Sequence, residues 1–457
     1  MPSTGVEDTR SVARGNETGL RRQLSAGQIT MVAVGGSIGT GLLLGSAAAI
    51  ELAGPAVIVS YVFAAFVSLL VTMALGELAS AHPAAGSFGV YADLYLNQWA
   101  GFLSRTGYWA AIAVSIGAEL VASSTYMAFW FPRVPMLVWA ILFSLFLLLM
   151  NMRSVGEYGR FEYWFTMVKV ITILAFVVIG AGLLLGGRAT PQYTLNGGFF
   201  PKGVLAPMLA ITFAIYAFGG VEFVAVTSGE SRSSHEVAQA AWMTSSVLTV
   251  VYIGAIVVLV GVMPWNRAGV TESPFVTVFR QVNLPGASHV MNFVVLTAAL
   301  SGANAALYIS SRMLFSLARS GWAPSALGRL NSKGSPVWAL LVSAYGIAVA
   351  LILVKWAPQK AFEFILRGSF TGMMLSWIVS LAAHIVFRRK ISAAGIAELP
   401  IRSPFGAWGS ILGLLLVCAT VLKTWWDSQV NFVSGVVGIV LITVTYFAIK
   451  AARAGRG

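Results

Sequence analysis

The chain has 457 residues, of which 58% are hydrophobic and only 10% are charged. An average soluble domain is about 25% charged, so this composition excludes a soluble globular protein and predicts an integral membrane protein. The formal net charge of +13 does not predict nucleic-acid binding, because the basic residues are spread over the connections between apolar runs and are not gathered in one domain.

The apolar runs predict an all-α protein, because a membrane-spanning barrel would show short alternating segments instead. Residues 1–24 are polar, lack the apolar core of a signal peptide and are predicted to form a cytoplasmic tail. Twelve candidate membrane spans follow, joined by short connections that leave no separate soluble domain. Numbered 1 to 12, they cover approximately residues 26–50, 54–79, 97–130, 134–151, 161–186, 204–229, 236–262, 288–317, 336–355, 361–387, 406–423 and 429–450.

Lysines and arginines in the connections predict the orientation of the spans, since cytoplasmic loops carry an excess of both. With the N-terminus inside, 19 of the 29 basic residues fall on the inner side, nine fall on the outer side, and Lys169 lies within a span. This predicts a multi-pass protein of the cell membrane with both termini in the cytoplasm. The single cysteine, Cys418, and four scattered histidines predict neither an intrachain disulfide nor a metal site.

Span 1 contains the sequence Gly35-Gly36-Ser37-Ile38-Gly39-Thr40-Gly41. Each glycine weakens a helix by about 1 kcal/mol relative to alanine, so this stretch predicts a helix that is broken within the membrane. Irregular backbone is tolerated there only where protein or a polar cavity covers it. The alternative is close packing of helices through small residues. A nucleotide-binding loop is not favoured, because the glycine spacing does not match and no strand precedes it.

A second interruption lies in span 6, where a glycine pair and a carboxylate follow one another in the stretch Tyr216–Glu222. Interrupted segments at corresponding positions of two halves indicate the binding site of a transporter. Spans 1 and 6 are five spans apart, so the halves have opposite topology. The predicted units are a first repeat over residues 25–190, a second repeat over residues 200–390, and residues 400–457 with two appended spans and a short cytoplasmic tail.

The two broken helices offer opposite poles to a ligand. The half-helix that begins near Gly41 presents unpaired N–H groups and a positive dipole end, which suit a carboxylate. The hydroxyl groups of Ser37 and Thr40 can add hydrogen bonds there. Carbonyl groups near Tyr216 and Gly219 suit an ammonium group. Together the poles fit a zwitterion, and an α-amino acid is the obvious one.

Charged residues within spans are costly and usually functional. Lys169 in span 5 is a candidate for proton exchange, and its ammonium group can replace a sodium ion against carbonyls of the broken span 1; the alternative is a lysine that snorkels to the interface. Glu119 in span 3 and Glu222 after the second break are candidates to face the substrate or carry a proton, with hydrogen-bonded structural carboxylates as the alternative. Glu77 and Glu230 are expected to bind loop arginines and helix ends.

Two further groups flank the predicted site. Tyr216 and Phe218 are aromatic residues at the break in span 6, and they are predicted either to cover the substrate as a gate or simply to pack in the core. The stretch Ser301–Asn304 in span 8 is small and polar. It is expected either to close the site from behind or to permit close packing of helices.

These motifs together resemble the amino acid transporter family of the amino acid–polyamine–organocation superfamily, over nearly all of the chain after residue 20. The most specific pieces are Gly35–Gly41 with Gly54-Pro55, Gly76-Glu77 with Pro83 and Gly86-Ser87, Phe161–Lys169, Phe218–Glu222 with Gly229-Glu230, and Ser301–Ala318 with Gly321 and Pro324. The resemblance implies the leucine-transporter fold, with twelve transmembrane helices, a 5+5 inverted repeat, broken helices 1 and 6, two appended helices and transport by alternating access.

The resemblance also implies roles for individual residues. Those that would bind the substrate carboxylate are Ser37, Thr40 and Gly41. The carbonyls of Tyr216 and Gly219 would bind its ammonium group, and the Tyr216 ring would gate from outside. Lys169 matches the lysine of similar proton-coupled transporters, while Glu119 and Glu222 match carboxylates near the substrate. Residues 80–95 resemble an amphipathic inner loop beside the cytoplasmic exit.

The sequence therefore predicts a proton-coupled amino acid permease, not an enzyme, with the proton as coupling ion and no other cofactor or metal. Its expected partners are an amino acid substrate and the lipid bilayer. An amino acid exchanger shares every feature, and an amino acid sensor without net transport is a further alternative. A carboxylate of Glu119 or Glu222 facing the pocket would favour a cationic side chain; otherwise a neutral or aromatic one is equally expected.

Overall fold

The computed structural model describes residues 22–84, 86–152, 155–268, 273–281, 286–357 and 361–454. Within these ranges the chain is helical, and its only extended pairing is an isolated bridge between Leu24 and Ser231. Ten helical stretches in the described part are long and apolar enough to cross a membrane, and two shorter apolar helices join them, Met136–Asn151 and Ala206–Ala217. The predicted all-α membrane fold is confirmed.

The structure assigns helical bounds to each of the twelve predicted spans, whose numbers are kept. They are Ala26–Ser37, Thr40–Leu43 and Gly45–Ala53 for span 1, Val57–Ala81 for span 2, Gln98–Ala128 for span 3, Met136–Asn151 for span 4, Val155–Leu185 for span 5, Ala206–Ala217 and Phe223–Thr227 for span 6, Ser234–Val262 for span 7, Ala287–Arg319 for span 8, Val337–Ser343 and Tyr345–Trp356 for span 9, Ala361–Lys390 for span 10, Gly406–Asp427 for span 11 and Gln429–Ala454 for span 12. Short helices in the connections are Ser87–Tyr95, Pro274–Gln281 and Ala393–Ala397.

Both predicted breaks are present. Span 1 stops at Ser37, the backbone of Gly39 is extended, and the helix resumes at Thr40. Span 6 stops at Ala217 and resumes at Phe223. Between these two helices Gly220 has a φ of +107°, a conformation that residues with a Cβ rarely adopt. The glycines thus end the helices where the sequence predicts.

Span 9 carries a bend that the sequence does not predict. Its two helices meet at Ala344. The indole of Trp109 in span 3 donates to Ser343 on one side of the bend, at 2.9 Å, and Tyr345 on the other side donates to the carbonyl of Ala110, at 2.8 Å. Hydrogen bonds to span 3 therefore flank this interruption, and no proline lies at it.

The first described residues form part of the fold. Leu24, in the predicted tail, is fully buried, and the N–H groups of Gln23 and Leu24 both donate to the carbonyl of Glu230 at the end of span 6. Residues 23 and 24 of the predicted tail thus pack against the end of span 6, while residues 1–21 lie outside the described ranges. We call the face that carries Leu24 the N-terminal face; its cytoplasmic orientation stays a prediction.

The spans that contain the breaks lie inside a core, and the last two spans lie outside it. The most apolar window of Ala26–Leu43 in span 1 is 72% buried, whereas those of spans 11 and 12 are 28% and 6% buried. An exposed apolar helix of this kind is suited to contact with lipid. Spans 11 and 12 are thus appended to the periphery, as predicted. The predicted repeat boundaries, near residues 190–200 and 390–400, fall in connections between spans and stay predictions.

Candidate functional site

The two breaks lie against each other, and glycines make the approach possible. A Cβ added to Gly220 would lie 2.7 Å from the hydroxyl oxygen and 2.8 Å from the backbone nitrogen of Ser37. A Cβ added to Gly41 would lie 2.9 Å from Cα of Ala217. Carbon atoms do not approach other heavy atoms so closely, so neither position accepts a larger residue without movement. The glycines therefore both interrupt the helices and allow them to touch.

Tyr252 of span 7 bridges the two breaks, and sequence reasoning missed it. Its fully buried hydroxyl group lies 2.5 Å from the carbonyl oxygen of Ser37 and 3.0 Å from that of Ala217. Both carbonyls lie at the C-terminal end of a helix, where intrahelical partners are missing. Because an isolated tyrosine in an apolar span is usually a core residue, its sequence position carried no signal.

Lys169 reaches the break in span 1 from span 5. Its Nζ donates to the carbonyl oxygens of Gly35, at 2.6 Å, and Ile38, at 3.2 Å. The side chain is fully buried, so it does not snorkel to an interface. An ammonium group thus lies at the carbonyl end of the first half-helix, and its role as a replacement for sodium stays a prediction.

Glu119 of span 3 occupies the opposite pole of the same break. Both of its carboxylate oxygens lie 3.2 Å from the backbone nitrogen of Thr40, whose N–H donates to them. A Cβ added to Gly302 of span 8 would lie 2.9 Å from its carboxyl carbon, and one on Gly39 would overlap a carboxylate oxygen. The structure therefore places the carboxylate of Glu119 at the helix end predicted to bind the substrate carboxylate.

A cavity of about 50 Å³ lies between the breaks. Its lining comes from spans 1, 3, 6, 8 and 10 and consists of Gly36, Ser37, Gly41, Ile112, Ser115, Glu119, Tyr216, Gly219, Gly220, Phe223, Gly302, Ala306, Ser369 and Met373. A single water needs roughly 10–15 Å³ measured in this way, so the cavity has room for a few waters. A larger ligand requires the surrounding spans to move apart.

Two aromatic rings lie on opposite sides of the break in span 6 and bound this cavity. Tyr216 precedes the break, and its hydroxyl oxygen lies 3.5 Å from that of Ser369 in span 10. Phe223 follows the break, and its ring lies so close to Gly36 that a Cβ there would overlap it. The predicted gate role of Tyr216 stays a prediction, and Phe223, which was not predicted as a site residue, lines the cavity on the other side of the break.

Three predicted site residues do not present their side chains to the cavity. Glu222 accepts hydrogen bonds from the Tyr108 hydroxyl at 2.7 Å, the Trp377 indole at 3.1 Å and the Gly220 N–H at 3.2 Å, so it holds the break of span 6 to spans 3 and 10. Phe218 packs on the ring of Tyr252, with centroids 4.7 Å apart, and does not cover the cavity. Thr40 contributes its N–H, and its hydroxyl is buried away from the lining.

A buried carboxylate that sequence reasoning missed lies in span 5. Glu162 accepts hydrogen bonds from the hydroxyl of Ser301 and, at 3.2 Å, from the amide of Asn304, both in span 8. It precedes Lys169 by seven residues, or about two helical turns, which places both on one helix face. That spacing was the available signal. The polar stretch of span 8 thus binds a carboxylate behind the site.

Two carboxylates near the N-terminal face pair with arginines, as predicted, although Arg312 lies within the helix of span 8 and not in a loop. Glu77 pairs with Arg388, with Nε 2.5 Å from Oε1, and accepts the N–H of Ser403 at 2.7 Å. Glu230 accepts from Arg312 at 3.1 Å. Both link the ends of spans to neighbouring segments. Among the described residues no cluster of histidine, cysteine and acidic residues suits a metal ion.

The sequence of this chain is similar to a known protein family and to several of the proteins in it. The model of the family described as "Amino acid permease" matches residues 28–454. Similar proteins include the uncharacterized amino acid permease YtnA of Bacillus subtilis, which is 35% identical over 94% of this chain and 95% of its own length. The aromatic amino acid transport protein AroP of Escherichia coli K12 is 36% identical, with 89% and 90% covered. The gamma-aminobutyric acid permease of Bacillus subtilis is 33% identical, with 94% of each chain covered.

A solved structure shares the fold. The crystal structure of a manganese transporter of Eremococcus coleocola, in complex with an aromatic bis-isothiourea substituted compound, superposes with a TM-score of 0.60. It covers 92% of both chains at 14% identity. At this identity the likeness concerns the fold alone, and it confirms the predicted fold class.

Proposed function

Because this chain belongs to the amino acid permease family, we propose that it is a secondary active permease that takes up an α-amino acid together with a proton by alternating access. The substrate lies in the cavity between the two breaks. Its carboxylate accepts hydrogen bonds at the start of the second half-helix of span 1, from the N–H groups of Thr40 and Gly41. Its ammonium group lies near the carbonyls of Tyr216 and Gly219.

The observation that carries the proton coupling is the contact between Glu119 and the N–H of Thr40. Two carboxylates cannot share one N–H group at close distance without strong repulsion, and such repulsion favours protonation of one of them. The substrate carboxylate therefore takes the helix end only when Glu119 becomes neutral. A proton enters with the substrate, and it leaves when the substrate departs and Glu119 returns to Thr40.

Lys169 supports this exchange by holding a fixed positive charge at the break. Its ammonium group binds the carbonyls of Gly35 and Ile38, so it stabilises the irregular backbone of span 1. The same charge attracts the carboxylate of Glu119. Lys169 thus stabilises the ionised form of Glu119, which binds the helix end when no substrate is present.

The cavity favours a neutral substrate side chain over a cationic one. Glu222 accepts three hydrogen bonds and does not line the cavity, and Glu119 is already bound to Thr40. The side chains that remain are mostly apolar or aromatic, among them Ile112, Phe223 and Met373. The similar proteins named for aromatic amino acids and for gamma-aminobutyric acid accord with a substrate that carries no cationic side chain.

The test is reconstitution of the purified protein in liposomes. We expect labelled neutral amino acids to accumulate when the outside is acidified, and to leak out when a protonophore collapses the pH gradient. Accumulation that is insensitive to the protonophore would contradict proton coupling. Liposomes that load substrate only when they already contain a counter-substrate would show an exchanger, and binding without any flux would show a sensor.

A further inference from the structure

Lys169 lies between two carboxylates, one on each side of it, of which Glu162 is fully buried. Glu119 lies towards the cavity, and Glu162 lies two turns along span 5 towards the N-terminal face. Both attract the lysine electrostatically. Lys169 and Glu162 are fully buried, and Glu119 lies in the cavity wall. We call these three residues the charge triad.

Glu162 lies in a polar frame whose donors offset part of the cost that burial imposes on its charged form. The hydroxyl of Ser301 donates to one oxygen and the amide of Asn304 donates to the other, at 3.2 Å. The amide of Asn151 in span 4 donates to the side-chain oxygen of Asn304 at 2.7 Å, which turns the NH₂ group of Asn304 towards Glu162. Donors of this kind stabilise a carboxylate and disfavour its protonation.

Glu119 accepts hydrogen bonds from fewer donors than Glu162 does. Its described partner is the N–H of Thr40. The titratable groups that face it are Lys169 and the hydroxyls of Tyr126, Tyr216 and Tyr252. Around Glu162, span 1 presents Gly35 and span 8 presents neutral side chains. In the described part of the chain Lys169 is thus the one charged group that interacts with Glu162.

The charges of the triad do not balance. One ammonium group and two carboxylates carry a net charge of −1, and an uncompensated buried charge is costly. Binding of one proton makes the triad neutral. Among the described residues, Glu162 accepts hydrogen bonds from Ser301, Asn304 and Thr166, whereas Glu119 accepts only that of Thr40. The proton therefore binds Glu119, which then releases Thr40.

We propose that Glu162 is a positioning residue that makes transport proton-dependent, by neutralising Lys169 so that Glu119 is left as the carboxylate that takes up the proton. This inference rests on the proposed proton coupling and deepens it. A proton from water binds a carboxylate oxygen of Glu119, the hydrogen bond from Thr40 to that carboxylate breaks, and the substrate carboxylate accepts the N–H instead. Glu119 thus takes up one proton for each zwitterionic substrate that binds. This proton returns to water when the substrate is released.

The variant Glu162→Gln removes the charge and keeps the size of the side chain. Lys169 then has Glu119 as its one counter-charge, so protonation of Glu119 leaves an unpaired buried ammonium group. An opposite charge within about 4–6 Å shifts a carboxylate titration by about 1–3 pH units. We therefore expect substrate binding by the variant to require at least about a tenfold higher proton concentration than binding by the wild type.

The experiment measures thermal stabilisation of the full-length protein by an equimolar mixture of the standard L-amino acids, from about pH 5 to about pH 8. Glu162→Gln is expected to shift the profile to lower pH, and Glu162→Asp, which keeps the charge, to restore it in part. Glu398→Gln, the same chemical change at an exposed position between spans 10 and 11, serves as the matched control and is expected to match the wild type.

The outcomes separate this inference from the function on which it rests. A wild-type profile that does not depend on pH would overturn both the proton coupling and the role of Glu162. A pH-dependent wild type with an identical Glu162→Gln profile would overturn the role of Glu162 alone. Should Glu162→Gln fail to fold, Ser301→Ala removes one donor and keeps the carboxylate; a smaller shift to lower pH is expected, and an unchanged profile would overturn the proposal.

Discussion

The proposed competition at Thr40 is tested most directly by the substitution Glu119→Gln. The amide keeps the size of the side chain but removes the negative charge that lies 3.2 Å from the backbone nitrogen of Thr40. A substrate carboxylate at the same helix end would lie within roughly 4 Å of the original carboxylate. Two unit charges at about 4 Å interact by about 4 kcal/mol at an effective dielectric constant of about 20.

This magnitude sets the size of the expected effect. About 1.4 kcal/mol corresponds to a tenfold change in affinity. At a pH where Glu119 is ionised in the wild type, removal of the repulsion is therefore expected to strengthen substrate binding by up to roughly a thousandfold. At low pH, where Glu119 is already neutral in the wild type, the substitution is expected to change affinity little. The pH dependence of binding should therefore disappear in Glu119→Gln.

The assay combines binding with flux. The apparent dissociation constant of a neutral amino acid is measured across pH in detergent, and accumulation and counterflow are measured in liposomes. We expect Glu119→Gln to keep counterflow exchange and to lose accumulation driven by a pH gradient. A Glu119→Gln protein that keeps the wild-type pH profile and still accumulates substrate against a gradient would refute the competition between the two carboxylates.

Three further substitutions test the frame around the site. Lys169→Ala leaves the carbonyls of Gly35 and Ile38 unpaired and is expected to abolish accumulation driven by a pH gradient, as measured by uptake in liposomes. Gly220→Ala forces a Cβ against Ser37 at a positive φ. Backbone strain and overpacking are therefore expected to lower the free energy of unfolding by about 2–5 kcal/mol, measured as a fall in the thermal unfolding midpoint. Tyr252→Phe removes the hydroxyl that bridges the breaks and is expected to lower the free energy of unfolding by about 1–3 kcal/mol, measured in the same way.

Each of these predictions has a result that would contradict it. A Lys169→Ala protein that concentrates substrate normally would remove the lysine from the coupling mechanism. A Gly220→Ala protein with an unchanged unfolding midpoint would show that the breaks do not pack as described. For Tyr252→Phe, an unchanged midpoint would mean that its hydroxyl does not hold the two breaks together. Glu398→Gln again supplies a control for expression and reconstitution.

The sequence predicts the positions of the two breaks well, because their cause is local. Glycines at Gly39 and Gly220 weaken a helix whatever surrounds it, and the structure interrupts the helices at both places. The buried position of Lys169 was also predictable, since a charged side chain in a membrane span almost always faces the interior of the protein and not the lipid. The order of the twelve spans follows from hydropathy in the same way.

The partners at the breaks could not be predicted, because they come from distant parts of the chain. Glu119 and Thr40 are 79 residues apart, and Glu222 and Trp377 are 155 residues apart. The sequence shows that Glu222 is next to a break, but only the packing of spans 3 and 10 shows that Tyr108 and Trp377 bind it. The bend of span 9 depends in the same way on its contacts with span 3.

Several backbone groups at the two breaks have side-chain partners that come from other spans. Lys169 binds the carbonyls of Gly35 and Ile38, Glu119 binds the N–H of Thr40, and Tyr252 lies against the carbonyl of Ala217. A polar backbone group without a partner within the membrane costs several kcal/mol. These side chains therefore stabilise the interrupted helices while no substrate is bound.

This pairing has a consequence for the energetics of transport. A substrate carboxylate that arrives at Thr40 replaces the side chain of Glu119 there, instead of satisfying an N–H group that had no partner. Replacement of one hydrogen-bond partner by another changes the free energy far less than formation of a new bond to an unpaired group. Binding and release on either side of the membrane then differ by small free energies, which a proton gradient can supply through Glu119.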